Sequence, residues 1–200
     1  HKSKDASFDR AVQNWIYKRH GWTLAGEWIV PTAGVLPALT HAVQALTREG
    51  EGVIIQPPVY YPFKNIIQKN KRKVVENPLK LDEQTLTYQI DFEDFEGKVK
   101  DPNNKLFILC NPHNPIGRVW GKEDLLRLGK LCLANGVTVF ADEIHSDIIF
   151  KGFKHTPLGM LNNSINQNTI TAYSASKTFN LAGLQTAAII IPNKEIRRKY

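Results

Sequence analysis

Phe8, Val12, Trp15 and Ile16 recur at intervals of three and four, which lays them along one helix face, and His20-Gly21 supplies a stop. A short strand around residues 28–30 follows. Gly34 then leads into Pro37-Ala38-Leu39 and an apolar-periodic helix through Leu46, closed by Gly50 and Gly52. Short apolar runs at residues 52–56, 105–110, 137–141, 169–173 and 186–191 predict strands, with helical patterns between several of them. The helix predicted over residues 122–134 carries Leu125, Leu126, Leu128 and Leu133 on an apolar face and ends at Asn135-Gly136, a pair suited to a left-handed cap. Residues 79–97 are polar and rich in Asp and Glu, which reads as a surface excursion ending in a short helix. Residues 194–200 read as the opening turns of a further helix, so the chain is expected to be part of a longer protein.

Helices alternating with nearly continuous apolar strands imply an α/β fold: three layers, α/β/α, around a mostly parallel mixed sheet. In such sheets ligands collect beyond the carboxyl ends of the strands.

Composition narrows the picture without redirecting it. The 200 residues are 42% hydrophobic and 22% charged, as expected of one soluble globular domain. No apolar run approaches the roughly 18 residues of a membrane span, and His1-Lys2-Ser3-Lys4-Asp5 does not resemble a secretion signal, so the expected location is cytoplasmic, without membrane contact. The net charge of +7 raises the question of an acidic partner. The dense basic runs, at residues 69–73 and 194–199, lack the interleaved aromatics of a nucleic-acid platform, and no nucleic-acid partner is expected. Cys110, in a predicted strand, and Cys132, in a predicted helix, read as buried free thiols, with neither disulfide nor metal site expected.

The chemistry sits at the predicted strand ends. Lys177 follows an apolar strand within Tyr173-Ser174-Ala175-Ser176-Lys177, where burial is expected to depress its pKa and free the neutral amine that attacks an aldehyde. An imine-forming lysine needs a π-system to store the electrons of a broken bond at the α-carbon, and pyridoxal 5'-phosphate supplies one when its pyridine nitrogen stays protonated. Asp142, at the next strand end, is the candidate carboxylate for that nitrogen. Its neighbour Glu143 points the other way if the strand persists. The Asn114 amide suits the cofactor's phenolate, with His145 as a second donor. The turn at Gly34, Val35 and Leu36 offers backbone N–H groups to a phosphate, with a hydroxyl from Ser174 or Ser176, and Tyr60 is the candidate for stacking on the ring. Each feature alone has an ordinary structural role as a turn, a cap or core packing. Their coincidence in this order is the argument.

These residues resemble the class I and II aminotransferase superfamily of fold-type I pyridoxal-phosphate enzymes. The resemblance implies that residues 1–200 are the large cofactor-binding domain, with an N-terminal segment and a small C-terminal domain outside this chain. It also implies that Lys177 is the Schiff-base lysine, that Asp142 pairs with the pyridine nitrogen, and that Asn114 meets the phenolate. Ser174 and the Gly34 turn would hold phosphate and Tyr60 would cover the ring, while His145 stands where many aminotransferases have tyrosine. Asn114-Pro115 is expected to be cis. The spellings Asn-Pro-His-Asn-Pro-Ile-Gly and Asp-Glu-Ile-His-Ser-Asp look most like the carbon–sulfur β-lyase branch, the cystathionine β-lyases. The implied reaction is β-elimination from a sulfur amino acid by a homodimer, the isolated chain being inactive. An aminotransferase is the alternative, and a cofactor-binding regulatory module an alternative of another class. One departure stands out: Gln185 occupies the position, eight residues after the lysine, where many aminotransferases hold the phosphate with arginine.

Overall fold

A strand that is apolar on both sides must be covered on both sides, and the central runs are. The computed structural model describes residues 6–200; the reading of His1–Asp5 lies outside the described residues. In chain order the elements begin with α1 (Ser7–His20), β1 (Ile29–Thr32), α2 (Val35–Leu46), β2 (Gly52–Ile55), α3 (Pro62–Lys69) and β3 (Lys73–Glu76). A two-stranded ribbon, β4 (Lys80–Asp82) and β5 (Thr87–Gln89), precedes α4 (Phe92–Lys100), β6 (Asn104–Cys110), α5 (Lys122–Ala134) and β7 (Thr138–Asp142). The remainder is α6 (Asn163–Gln167), β8 (Thr169–Tyr173), α7 (Ala175–Thr178), β9 (Ala187–Ile190) and α8 (Lys194–Lys199).

Seven strands form one sheet in the order β1-β9-β8-β7-β6-β2-β3. Pairing is parallel from β3 through β8 and antiparallel at β8–β9 and β9–β1, so the sheet is mixed and mostly parallel. Alternation along each strand distributes side chains between two cores. Val53, Ile55, Leu106, Ile108, Cys110 and Phe140 pack with α2 and α3. Ile54, Phe107, Leu109, Val139 and Ala141 face α4, α5 and α6. The three-layer α/β/α reading therefore holds, and the same alternation puts Asp142 on the Phe140 side of β7 and Glu143 on the other. There Glu143 is fully buried, accepting hydrogen bonds from Tyr173 Oη at 2.7 Å and the Leu158 N–H at 2.9 Å, and it pairs with His155 Nε2 at 2.9 Å.

Three local readings change. Leu133 is 41% exposed, because the buried stripe of α5 is Leu125, Leu128, Gly129 and Cys132, and Leu133 lies one step further round the helix. The first strand starts later than expected, since Gly26–Trp28 coil into a 3₁₀ turn. The polar excursion contains the β4–β5 ribbon before α4, which Asp91 caps through its side chain. Within the 69–73 basic run, Arg72 folds back to donate to Thr47 and to the Asn70 carbonyl, a structural role.

Packing is tight where the 3₁₀ turn Leu158–Met160 meets Trp22. A Cβ on Gly159 would stand 2.7 Å from Trp22 Cη2 and 2.9 Å from Asn166 Oδ1. Gly159→Ala is expected to lower stability by about 1–3 kcal/mol, the range for overpacking a filled core. An unchanged urea midpoint would count against this close approach.

Candidate functional site

Strands β6, β7 and β8 are parallel neighbours, with Cys110 opposite Asp142 and Asp142 opposite Ala172. Their carboxyl ends therefore open at the same edge of the sheet, beside the amino end of α2. There a cavity of about 320 Å³ receives Asn114 from the segment after β6, Asp142 and His145 from the end of β7, and Ser174 and Lys177 from the turn after β8. Gly34, Val35 and Leu36 close it from the start of α2, and Tyr60 from the segment before α3. All ten candidate residues named from the sequence, Ser176 included, line this one cavity.

Asp142 is buried at its floor. Burial pushes its carboxyl up to about 7; the Ile144 N–H, donating to Oδ1 at 3.2 Å, opposes this, the neighbouring Glu143 adds to it and the Lys177 ammonium opposes it. His145 is half-buried, and burial followed by the charge of Lys177 holds its imidazole below the usual range, leaving it neutral near pH 7. Lys177 itself is exposed on the cavity wall. The expected burial is thus not met: α7 is a single turn, and residues 179–186 that follow it are exposed, so among the described residues nothing closes over the amine.

The opposite end of the cavity suits an anion. Gly34 adopts φ +110°, a backbone state that L side chains rarely reach, and turns the chain abruptly from β1 into α2. The first turn of α2 presents the amides of Val35 and Leu36, whereas Pro37 has none to offer. Across from it Ser174 Oγ accepts from the Ser176 N–H at 3.1 Å and donates to the Thr186 carbonyl at 2.7 Å, with Ser176 Oγ 2.6 Å away. Gln185 lines the same end, in the left-handed region at φ +46°, and among the described residues Lys177 is the single lysine or arginine in the lining.

On the third side the Asn114-Pro115 peptide is cis, as are Asn111-Pro112 and Pro57-Pro58. The Asn114 N–H donates to Cys110 Sγ at 3.4 Å, and its side-chain amide remains for the cavity. Tyr60 is half-buried and packs edge-on against Phe63, ring centroids 5.7 Å apart, so it is braced from behind. Sequence reasoning did not place Cys110 in this wall. The period-two pattern Leu106, Ile108, Cys110 was the available signal, since it puts the thiol on the Asp142 side. Burial, then the Asp142 charge, raises the Cys110 thiol far above its ordinary range, so it is an inert wall.

A cavity with one amine, one buried carboxyl and an anion cradle is the chemistry of an aldehyde cofactor carrying a phosphate. Among the described residues no cluster of His, Cys, Asp and Glu is arranged to hold a metal ion. The comparisons with known proteins agree. The profile "Aminotransferase class I and II" matches residues 3–200. Cystathionine beta-lyase PatB of Bacillus subtilis (strain 168) is 51% identical over 199 residues, covering 100% of this chain and 50% of PatB. Cystalysin from Treponema denticola, whose crystal structure contains a pyridoxal 5'-phosphate cofactor, superposes with TM-score 0.95 at 40% identity, covering 98% of this chain and 49% of that one. The PLP-bound C-S lyase from Staphylococcus hominis gives TM-score 0.90 at 36% identity, covering 97% and 50%. The chain thus spans about half the length of these relatives. With the family profile covering nearly every residue and the site geometry pointing the same way, the chain belongs to the class I and II aminotransferase family.

Proposed function

We propose that the protein carrying this chain is a pyridoxal 5'-phosphate-dependent carbon–sulfur β-lyase, converting a sulfur amino acid to pyruvate, ammonia and a thiol. The observation that carries the cofactor is the meeting of Lys177, buried Asp142 and the Gly34 turn in one cavity. The 51% identity to cystathionine beta-lyase PatB favours elimination as the reaction.

When bound, the cofactor supplies an electron sink for the pair left at the α-carbon. The residues of this chain do the rest. Asp142, whose carboxyl is poised near 7, would ionise against a cationic pyridine nitrogen and hold the proton there. Asn114 and neutral His145 would donate hydrogen bonds toward the phenolate, Tyr60 would cover the ring face, and the Val35 and Leu36 amides would hold the phosphate, joined by the Ser174 hydroxyl once its proton turns away from the Thr186 carbonyl. With Gln185 in place of arginine, that phosphate is held largely by neutral donors. Once the substrate's amino group has displaced it from the aldehyde carbon, the Lys177 amine would take the α-proton as general base and deliver a proton to the departing sulfur as the Cβ–S bond breaks. With Lys177 returned to the aldehyde carbon, the three-carbon enamine would be released and would hydrolyse in water to pyruvate and ammonia.

Aminotransfer uses the same residues, differing in where the proton returns. The family profile and the "Probable kynurenine--oxoglutarate transaminase BNA3" of Saccharomyces cerevisiae, 30% identical over 180 residues, keep it as the second reading. The full-length protein is expected to form pyruvate steadily from cystathionine with no keto acid present; turnover that requires a keto-acid acceptor would sink the lyase reading. A cytoplasmic homodimer completes the proposal, supported by two free buried thiols and by exposed apolar residues such as Phe179 and Leu184 on the loop after Lys177.

A further inference from the structure

The turn that carries Lys177 is capped by Ser174 at its start and closed by the Leu181 N–H on the Ser176 carbonyl at 3.0 Å, but it is too short to fix its own direction. α7 is four residues long, with one i to i+4 bond leaving it, from the Phe179 N–H to the Ala175 carbonyl at 2.9 Å, and so short a helix takes its orientation from tertiary contacts. Apolar packing beneath it is incomplete, because a cavity of about 270 Å³ lies between the turn and α1, lined by Val12, Trp15, Ala175 and Phe179 among others. A polar contact bridges that gap.

Asp147 lies five residues beyond Asp142 on the segment leaving β7, with its side chain 8% exposed. Its Oδ2 accepts from Trp15 Nε1 at 2.9 Å and from Thr178 Oγ1 at 2.9 Å. Its Oδ1 accepts from Arg19 Nε at 2.9 Å, and its backbone carbonyl from the same guanidinium at 3.3 Å. Trp15 in turn meets Phe179 edge-on, centroids 5.0 Å apart. The two residues that follow Lys177 are therefore both fastened to α1, one through a shared carboxylate oxygen and one through the indole that the carboxylate orients. Burial alone would raise the Asp147 pKa, but hydrogen bonds from Trp15, Arg19 and Thr178 bring it below the usual carboxylate range, so the hub is ionised.

We infer that Asp147 is a positioning residue for Lys177: through Thr178 and Trp15 it locks the lysine-bearing turn to α1 and fixes where the amine stands over the cavity. One segment, residues 142–147, then sets both the buried carboxyl on the cavity floor and the placement of the amine on its wall. This inference rests on the proposed capture of pyridoxal phosphate by Lys177.

The test uses the full-length protein stripped of cofactor. Thr178→Val removes the hydroxyl at nearly constant volume, Thr178→Ser keeps it, and Asp147→Asn keeps the shape of the hub without its charge. The readouts are the rate at which added pyridoxal phosphate gives its near-visible absorbance band, the pH midpoint of that band, and the thermal midpoint of the apoprotein. Loss of one charge-assisted hydrogen bond should slow capture about tenfold in Thr178→Val and move the pH midpoint, with Thr178→Ser close to the parent. Asp147→Asn should exceed Thr178→Val. A thermal midpoint that falls while capture rate and pH midpoint stay at parental values would overturn the inference, as would Thr178→Ser behaving like Thr178→Val. If Asp147→Asn does not fold, the two Thr178 variants decide alone. A parent protein that forms no band removes the reading of Lys177 itself, whereas a parent band unaltered in every variant removes only the positioning role.

Discussion

Lys177→Ala is expected to abolish the near-visible band that pyridoxal phosphate gives with the full-length protein and to lower turnover by about 10⁴-fold or more, the upper range for loss of a positioned general base. Two roles are lost at once: the covalent tether and the acceptor of the α-proton. Substitution of any other described lysine should leave the band intact, because among the described residues Lys177 is the sole lysine lining the cavity. The fold should survive, since the side chain is exposed and buries no core area. A small primary amine added to the solution should restore part of the turnover by accepting the α-proton in place of the missing side chain. Residual activity near the parental level, or a band unchanged in the variant, would mean that the amine comes from elsewhere, and the Asp142 cavity would need another explanation.

The sequence made the sheet legible because its central strands are apolar on both faces, and such runs have few alternative fates. Residues 104–110 and 169–173 need no context to be recognised. β3 offers only Val74 and Val75, one to each core, between exposed Lys73 and Glu76, and the β4–β5 ribbon is short and half-exposed, so neither gives a run long enough for periodicity to register. The site residues were legible because strand ends gather in space even when they are distant in sequence. Lys177's exposure was not, since the apolar strand before it says nothing about what lies above the turn after it. Asp147 escaped for a related reason: its partners Trp15, Arg19 and Thr178 lie 132, 128 and 31 residues away, and only the tertiary fold brings them together.

Asp142→Asn is expected to separate the carboxyl's two effects, one on the empty fold and one on the loaded site. The unfolded carboxyl releases its proton near 3.8 and the buried one near 7, so the folded chain holds more protons than the unfolded chain between those values. The stabilisation that protonation gives is fully present below about pH 4 and is lost as pH rises through about 7. A shift of this size corresponds to a ceiling on the order of 4 kcal/mol. In the apoprotein, Asp142→Asn should therefore gain stability over the parent as pH is raised from about 5 to about 8, because the amide cannot ionise. With cofactor the order reverses. A cationic pyridine nitrogen draws the carboxyl back to its charged form, so pyridoxal phosphate should stabilise the parent more than the variant, and most at alkaline pH. Turnover of the variant should fall by about 10²–10³-fold, the range for removing one electrostatic group that acts in the transition state. The decisive measurement is the thermal midpoint of both proteins, with and without cofactor, at the two pH values. A constant offset between them across pH would show that Asp142 is already ionised in the apoprotein, and the buried carboxyl could not then act as a site that gains its charge as the cofactor arrives.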